Sequence, residues 1–340
     1  MTESALVTGG GGFLGGAIVD ALLARGDRVA SVSRGEYPEL VARGVETLRA
    51  DLADDPADLI ELLRRREVRT VYHCAARPGV FGPAAAYERA NVDATARVLD
   101  ACRAAGVPRL VFTSSPSVVF GGGDHVNAGP DLPYPARHLA HYPRTKAEAE
   151  RMVLAANDSS LVTVALRPHL VFGPGDPNLV PRLLARADAG RLRIVGGGTS
   201  EVSLTFVENA AAAHLAAADG LSGGAADLPG RAFFVNNVEP VRLWAWINRV
   251  LEGTGRAPVT RRVPASVAHA AGAALELAFS ALGRSQEPPM TRFVARQLAT
   301  SHSYDMAPFI EACAGRYREV VSLDEATERT ISWARGLEPN

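Results

Sequence analysis

The sequence predicts an α/β fold, a doubly wound parallel sheet followed by a smaller, mostly helical C-terminal substrate domain. Three observations carry that expectation. Short β-branched runs alternate with longer Ala- and Leu-rich periodic segments as far as about Leu166, a run of glycines separates the first strand from the first helix, and the alternation breaks after Leu166, where Pro, Gly and Arg become frequent. Strands are expected at Ser4–Thr8, Arg28–Ser33, Val45–Ala50, Thr70–Cys74, Arg109–Ser114 and Leu161–Leu166, with helices over Phe13–Arg25, Pro56–Arg66, Ala84–Ala105 and Pro143–Ala156. Gly26 and Gly106 stop two of those helices, because glycine adopts the left-handed conformation of a helix terminus without steric cost. Right-handed crossovers between such units give a parallel sheet whose ligands sit at the carboxyl ends of its strands. Arg231–Asn236 reads as one more strand. Residues 1–168 are therefore expected to form the sheet domain, with 204–238 returning to it, and residues 169–203 and 239–325 the substrate domain.

Composition excludes several classes. The chain has 340 residues, 47% of them hydrophobic, and a net charge of -1, so it can bury one large or two modest cores and offers no basic excess for nucleic acid. Cys74, Cys102 and Cys313 are far apart and lack C-x-x-C spacing, which argues against a disulfide framework or thiolate metal site and for a reducing cytoplasm. The first strand-like run begins almost at once, and no uncharged apolar run reaches the ~20 residues that span a bilayer, so neither a leader nor a transmembrane segment is expected. Ala265–Gly283, ASVAHAAGAALELAFSALG, carries one carboxylate, Glu276, and is apolar on more than one helical face. It reads either as a buried or lid helix, or as the wall of an apolar substrate tunnel or a membrane-resting face.

The glycines of TGGGGFLGG follow a strand and open a helix, the context in which backbone N–H groups and the helix dipole approach a pyrophosphate. Gly10, Gly12 and Gly15 give G-x-G-x-x-G, and Gly9, Gly12 and Gly15 give G-x-x-G-x-x-G. The stretch alone does not choose between them.

At the end of the second strand, where a carboxylate would accept the ribose hydroxyls of NAD and repel a 2′-phosphate, the chain has Ser33 and Arg34. A cation in place of an acid points to NADP(H). Asp51 and Leu52 end the third strand, where an adenine ring would lie; Asp51 is a candidate acceptor for the adenine amino group or, alternatively, a helix cap.

HYPRTKAEAER carries the reactive chemistry. Tyr142 and Lys146 are four apart, and Pro143 suits the first helical position, so both side chains leave one face near the start of a helix. A phenol with a pKa of about 10 is a poor acid or base at neutral pH unless a cation stabilises its phenolate, and Lys146 could supply one. The pair lies downstream of a hydroxyl-rich strand end, FTSSPSV.

Glycine turn, strand-end serine and Y-x-x-x-K together resemble the extended short-chain dehydrogenase/reductase family. The resemblance implies a Rossmann-type fold, a nicotinamide cofactor, and the catalytic set Ser115, Tyr142 and Lys146, with Ser114 and Ser117 the less favoured serines. Tyr142 would protonate a carbonyl oxygen, Ser115 would hydrogen-bond it, and Lys146 would hold the nicotinamide ribose and tune Tyr142. The family pattern T-G-x-x-G-x-x-G matches Thr8, Gly9, Gly12 and Gly15, with Phe13 and Leu14 at the helix start, and makes Gly10 a tolerated extra. By the same resemblance Ala75 and Ala76 line the cofactor, Asn91 braces the central helix, and Pro168 and the backbone to Leu170 meet the carboxamide side of the nicotinamide.

AARPGVFG, TSSPSVVFGGGD, YPRTKAEAE, RPHLVFGPGDPNLVPR, EPPMTRF and TSHSYD are similar to segments of the branch holding 3β-hydroxysteroid and sterol-4α-carboxylate 3-dehydrogenases, and most of all to 2-alkyl-3-oxoalkanoate reductases of long-chain olefin and β-lactone lipid biosynthesis. This implies NADPH-dependent reduction of an α-branched fatty 3-oxo acid, with Arg182 or Arg292 as candidates for its carboxylate. The rivals are a sterol dehydrogenase working with NAD, a nucleotide-sugar epimerase or dehydratase, and a non-catalytic NADP-binding protein. The expected partner is a small lipid-like molecule, and a homodimer, a peripheral membrane contact or association with pathway enzymes is left open. His125, His138 and His141 with Asp124 lack the spacing of a metal site, and His302 reads as structural.

Overall fold

Seven short apolar runs become the strands of one parallel sheet in the computed structural model, which describes residues 3–337. They are β1 (Ser4–Thr8), β2 (Arg28–Ser33), β3 (Glu46–Arg49), β4 (Thr70–His73), β5 (Arg109–Thr113), β6 (Val162–Pro168) and β7 (Ala232–Val235), in spatial order β3-β2-β1-β4-β5-β6-β7. β1 pairs with β2 from Ser4↔Arg28 to Thr8↔Val32 and with β4 from Ala5↔Thr70 to Thr8↔His73. The order reverses beside β1, which opens a crevice at the carboxyl ends of β1, β2 and β4.

The principal helices are α1 (Phe13–Ala24), α2 (Ala57–Arg65), α3 (Ala94–Ala105), α4 (His141–Ala155), α5 (Leu179–Asp188), α6 (Val207–Ser222), α7 (Leu243–Gly253), α8 (Ala265–Ala281) and α9 (Arg292–Ala299). Alternation along the strands sends successive residues to opposite faces. Val7, Val111 and Val164 pack with Ile18 and Leu22 of α1 and Ala213 and Ala217 of α6. Leu6, Val71 and Leu110 pack with Leu59 and Leu62 of α2 and Val98 of α3. A separate core gathers Phe172, Leu183, Trp244, Trp246 and Ile247. β7 lies beside β6, with Ala232↔Ala165 to Val235↔Pro168 in register.

Three local expectations need correction. The helix expected over Ala84–Ala105 is helical throughout but widens into a π segment at Glu88–Asp93, where the Asn91 side chain reaches sideways to neighbouring elements. α4 begins at His141 after the extended Ala140, so Pro143 is its third residue and not its first; the missing N–H still falls among those a helix leaves unpaired. α8 is not a buried helix: only its Ala268 and Gly272 are buried, while Leu277 on it and Leu282 just past its end are 73% and 66% exposed. It rests on the start of α9 along a thin stripe, and a Cβ on Gly272 would lie 2.6 Å from the Thr291 carbonyl carbon. Among the described residues no helix is long and apolar enough to cross a membrane.

Candidate active site

The turn between β1 and α1 is a compact knot. Gly9 has φ +71°, its N–H donates to Val32 O, and its own carbonyl accepts from the Gly12 N–H at 2.9 Å. A Cβ on Gly15 would lie 2.2 Å from Gly9 O, so α1 sits directly on the turn. Among the described residues a Cβ on Gly12 would meet Gly9 O alone, at 3.2 Å, and no side chain caps the helix, which leaves the N–H groups of Phe13 and Leu14 free at its start. Gly10, expected to be incidental, is buried, and a Cβ there would lie 2.5 Å from Ser31 Oγ and 3.1 Å from Val19 Cγ2. It is a packing residue of β2 and α1.

Thr8 does not face the cradle. Its buried hydroxyl donates to His73 Nδ1 at 2.8 Å and accepts from the N–H groups of Cys74 and Ala75, both at 3.0 Å, which fixes how the chain leaves β4. His73 Nε2 in turn donates to Thr95 Oγ1, whose hydroxyl is committed to Asn91 O. Burial pushes the His73 pKa down to about 3, so this ring is neutral.

Gly9, Gly12, Ser33, Arg34, Asp51, Leu52, Ala75 and Ala76 share one cleft of ≈ 310 Å³. The cleft therefore brings together most of the expected cofactor residues from the ends of β1, β2, β3 and β4. Ser33 Oγ is buried and unpartnered, and Arg34 is exposed with no ion pair among the described residues. The nearby Glu36 is held by Arg49 at 2.7 Å. Asp51 Oδ1 accepts from the Ala53 N–H, and its other oxygen lies 3.4 Å from Arg89, so it closes a turn at the rim while lining the cleft. Sequence reasoning missed Tyr37, whose ring lies against Gly11, so close that a Cβ there would be 2.2 Å from Cε1. The open cradle, orphan hydroxyl and free guanidinium fit a dinucleotide.

The hydroxyl-rich end of β5 meets the first turn of α4. Ser115 is half-buried, and its Oγ accepts from both the N–H and the hydroxyl of Ser117, the latter at 2.9 Å. Burial raises the Tyr142 pKa, and a hydrogen bond with the Ser115 side chain opposes that rise. Ser114 is buried, with its N–H on Leu166 O. Ser115 is thus the serine that faces the phenol.

Lys146 is 2% exposed, donates to the Thr113 carbonyl at 2.6 Å, and lies 3.9 Å from the centroid of the Phe112 ring. Desolvation lowers its pKa to about 7, against a raising influence from Glu150 one turn along α4. Glu150 is fully buried in a bidentate pair with Arg167, at 2.9 and 2.7 Å, and accepts from the Tyr134 hydroxyl at 2.6 Å. Despite its desolvation the Glu150 carboxyl is held below the usual range by Arg167. The spacing did not reveal this pair, since its partners lie on separate elements. Asn91 supports the same helix: Nδ2 donates to Thr145 Oγ1 at 2.9 Å, and Oδ1 accepts from the Arg77 N–H at 2.7 Å.

Pro168 ends β6, beyond the last β5 bond to Leu166, where its missing N–H interrupts nothing. Leu170 has φ +44°, a left-handed conformation costing a branched residue roughly 1–2 kcal/mol. It lines an apolar chamber of ≈ 330 Å³ with Leu179, Leu183, Leu204 and Trp244. His302 reaches the same chamber; its Nδ1 accepts from His169 Nε2 at 2.6 Å, while Nε2 donates to Gln297 O. Arg182 and Arg292 are each already paired with an acid, Glu287 and Glu276, whereas Arg186, also on the chamber, bonds only the Pro289 carbonyl among the described residues. His125 and His138 engage Tyr304 and Val118 O respectively, and among the described residues no cluster of His, Cys, Asp and Glu is arranged to hold a metal.

The model of the 3-beta hydroxysteroid dehydrogenase/isomerase family matches residues 6–263. The chain belongs to that family. It is an oxidoreductase. Similar relatives include a 2-alkyl-3-oxoalkanoate reductase of Stenotrophomonas maltophilia, 45% identical over 95% of this chain and 97% of the relative, and one of Shewanella oneidensis, 42% identical over 96% and 84%. A human sterol-4-alpha-carboxylate 3-dehydrogenase, decarboxylating, is 36% identical over 97% and 88%. Among solved structures, UDP-glucose 4-epimerase from Brucella ovis in complex with NAD covers the whole of both chains with a TM-score of 0.74 at 23% identity, a likeness of fold alone. MoeE5 in complex with UDP-glucose and NAD is 27% identical, with a TM-score of 0.70 over 98% of each chain.

Proposed function

We propose that this family member uses NADPH to reduce the 3-oxo group of a long-chain 2-alkyl-3-oxoalkanoic acid to the 3-hydroxy acid. The observation that carries the reading is the Ser115 side chain beyond the end of β5 meeting the Tyr142 hydroxyl at the start of α4; the names of the two bacterial relatives support the substrate class. The N–H groups of Phe13 and Leu14 would hold the pyrophosphate and Arg34 with Ser33 the 2′-phosphate. Asp51 and Leu52 would flank the adenine, Ala75 and Ala76 would line the dinucleotide, and Pro168 to Leu170 would meet the carboxamide. When bound, the cofactor supplies a hydride to the carbonyl carbon.

Burial keeps Tyr142 protonated at neutral pH, so its hydroxyl can deliver the proton to the carbonyl oxygen while Ser115 donates a hydrogen bond to that oxygen. Lys146 holds its ammonium at the Thr113 carbonyl, within the same layer of the sheet end, and would bind the ribose of the cofactor. Residues 169–203 and 239–325 would supply the substrate side. A cytoplasmic location accords with three free cysteines.

The sterol-carboxylate reading is favoured by the human relative; Arg34, which would not repel NADPH, weighs against its use of NAD. A spectrophotometric comparison of NADPH oxidation with a long-chain 2-alkyl-3-oxo acid, a 3-ketosteroid and a nucleotide sugar tests the proposal. Turnover of the keto acid is expected. Clear turnover of the steroid with none of the acid would overturn it, and Tyr142→Phe should lose about 10²–10⁴-fold in kcat while still binding NADPH.

A further inference from the structure

The loop after β4 divides the substrate side into two unequal spaces. Val80 borders both the apolar chamber of ≈ 330 Å³ and a groove of ≈ 1190 Å³ that runs past Ala140 and His141, the two residues before Tyr142 in the chain, and along Ala273, Glu276 and Ser280 of α8. The divider is built to hold its shape. Gly79 and Gly82, at φ +96° and +133°, flank Val80 and Phe81; the Tyr87 hydroxyl donates to Phe81 O at 2.9 Å; and the Phe81 ring packs edge-on against Phe279 of α8 at 6.3 Å. From the other side Glu287, paired with Arg182, closes toward Gly79. The linings differ in kind. Leucines, Trp244, Trp246, Ile247 and Phe293 dominate the chamber, whereas the wider groove mixes apolar residues with the cations Arg137, Arg144, Arg151 and Arg284.

A 2-alkyl-3-oxo acid carries two alkyl branches on adjacent carbons, so a site for it needs two exits from one reacting centre. Resting on the substrate class proposed above, we infer that Val80 sorts the branches: one enters the chamber and is measured there, and the other lies in the groove with its length unmeasured. An apolar cavity of about 150 Å³ takes a six-carbon ring, so the chamber takes about a dozen carbons on the same scale.

Two series of 2-alkyl-3-oxo acids, each lengthening one branch with the other held constant, test this through kcat/KM. One series should rise and then fall about tenfold or more past the chamber's limit, while the other changes little. Leu179→Trp, at the half-buried chamber wall, should shorten the limit, and Ala273→Trp on the groove wall should leave it in place. A readout independent of turnover uses the tryptophans, two of which line the chamber: saturated fatty acids from hexanoic to stearic, titrated into the NADP⁺-bound protein, should alter emission up to the same limit. Equal length dependence of both branches, or a limit that Leu179→Trp does not move, overturns the sorting. Fatty-acid binding with a sharp limit but no reduction of any keto acid sinks the proposed activity and leaves a chain-measuring chamber standing.

Discussion

Lys146 Nζ donates to the Thr113 carbonyl at 2.6 Å while resting 3.9 Å from the Phe112 ring centroid. The lysine of the site is therefore held by the strand whose end carries Ser115, and the group that opposes the rise in the Tyr142 pKa is Ser115.

Burying that lysine has a cost that pH can read. Its folded pKa of about 7 lies below the ordinary 10.5, so between those values the unfolded chain binds more protons. Stability of the cofactor-free protein should rise with pH across that window, by up to about 1.4 kcal/mol per unit. Lys146→Met should remove that contribution and, by deleting a charge-assisted bond worth about 1.5–3 kcal/mol, weaken NADPH binding tenfold or more. Urea midpoints of both proteins from neutral to alkaline pH provide the check; parallel curves would contradict it.

Glu150 and Arg167 are a buried bidentate pair one turn beyond Lys146. Glu150→Gln should cost about 3–5 kcal/mol, because the Arg167 cation is left without a counter-charge in the core. Combining it with Arg167→Met should cost less than the sum of the single changes, and a double-mutant cycle by denaturant unfolding measures the difference. Strict additivity would show that the two do not act as a pair.

Gly10, Gly12 and Gly15 should separate by assay. Gly15→Ala places a Cβ 2.2 Å from Gly9 O and should lower stability by about 1–3 kcal/mol or more. Gly10→Ala meets Ser31 Oγ, the end of a rotatable side chain, as well as Val19, and should cost about 1 kcal/mol. Gly12→Ala brings a Cβ to 3.2 Å from Gly9 O, so it should cost less stability than Gly15→Ala yet obstruct the cradle and weaken NADPH binding. Thermal midpoints set beside dissociation constants would expose a wrong assignment if Gly12→Ala bound cofactor normally.

Arg34 governs the preference between the two nicotinamide cofactors in the proposed reading. Arg34→Ala should leave kcat/KM for NADH nearly unchanged and reduce that for NADPH about 10–100-fold, the loss of one charge-assisted contact. An unchanged ratio would remove the basis for choosing NADPH.

Local signals made the sheet readable in advance. The period of two that places Val7 and Leu6 on opposite faces, the glycine turn, and the four-residue step from Tyr142 to Lys146 are relations between near neighbours, and β1, β2 and the first six strand positions follow from them within a few residues. Family resemblance, from motifs of the same local kind, was equally legible. Contacts between distant segments were not. Gly10 reads as a spare glycine until Ser31 and Val19 close on it, the Glu150–Arg167 pair joins two elements that no spacing links, and Ala265–Gly283, open to readings as a buried or lid helix or as a tunnel wall or membrane-resting face, packs on α9 along one thin stripe. Arg182 and Arg292 look available until Glu287 and Glu276 occupy them. Backbone preference and periodicity act within a turn or a strand, whereas a buried charge or a steric limit is set by whichever chain segment folding brings alongside. The sequence alone therefore indicates where a dinucleotide and a reactive phenol belong; the folded chain decides which groups hold them in place and how the space beside them is divided.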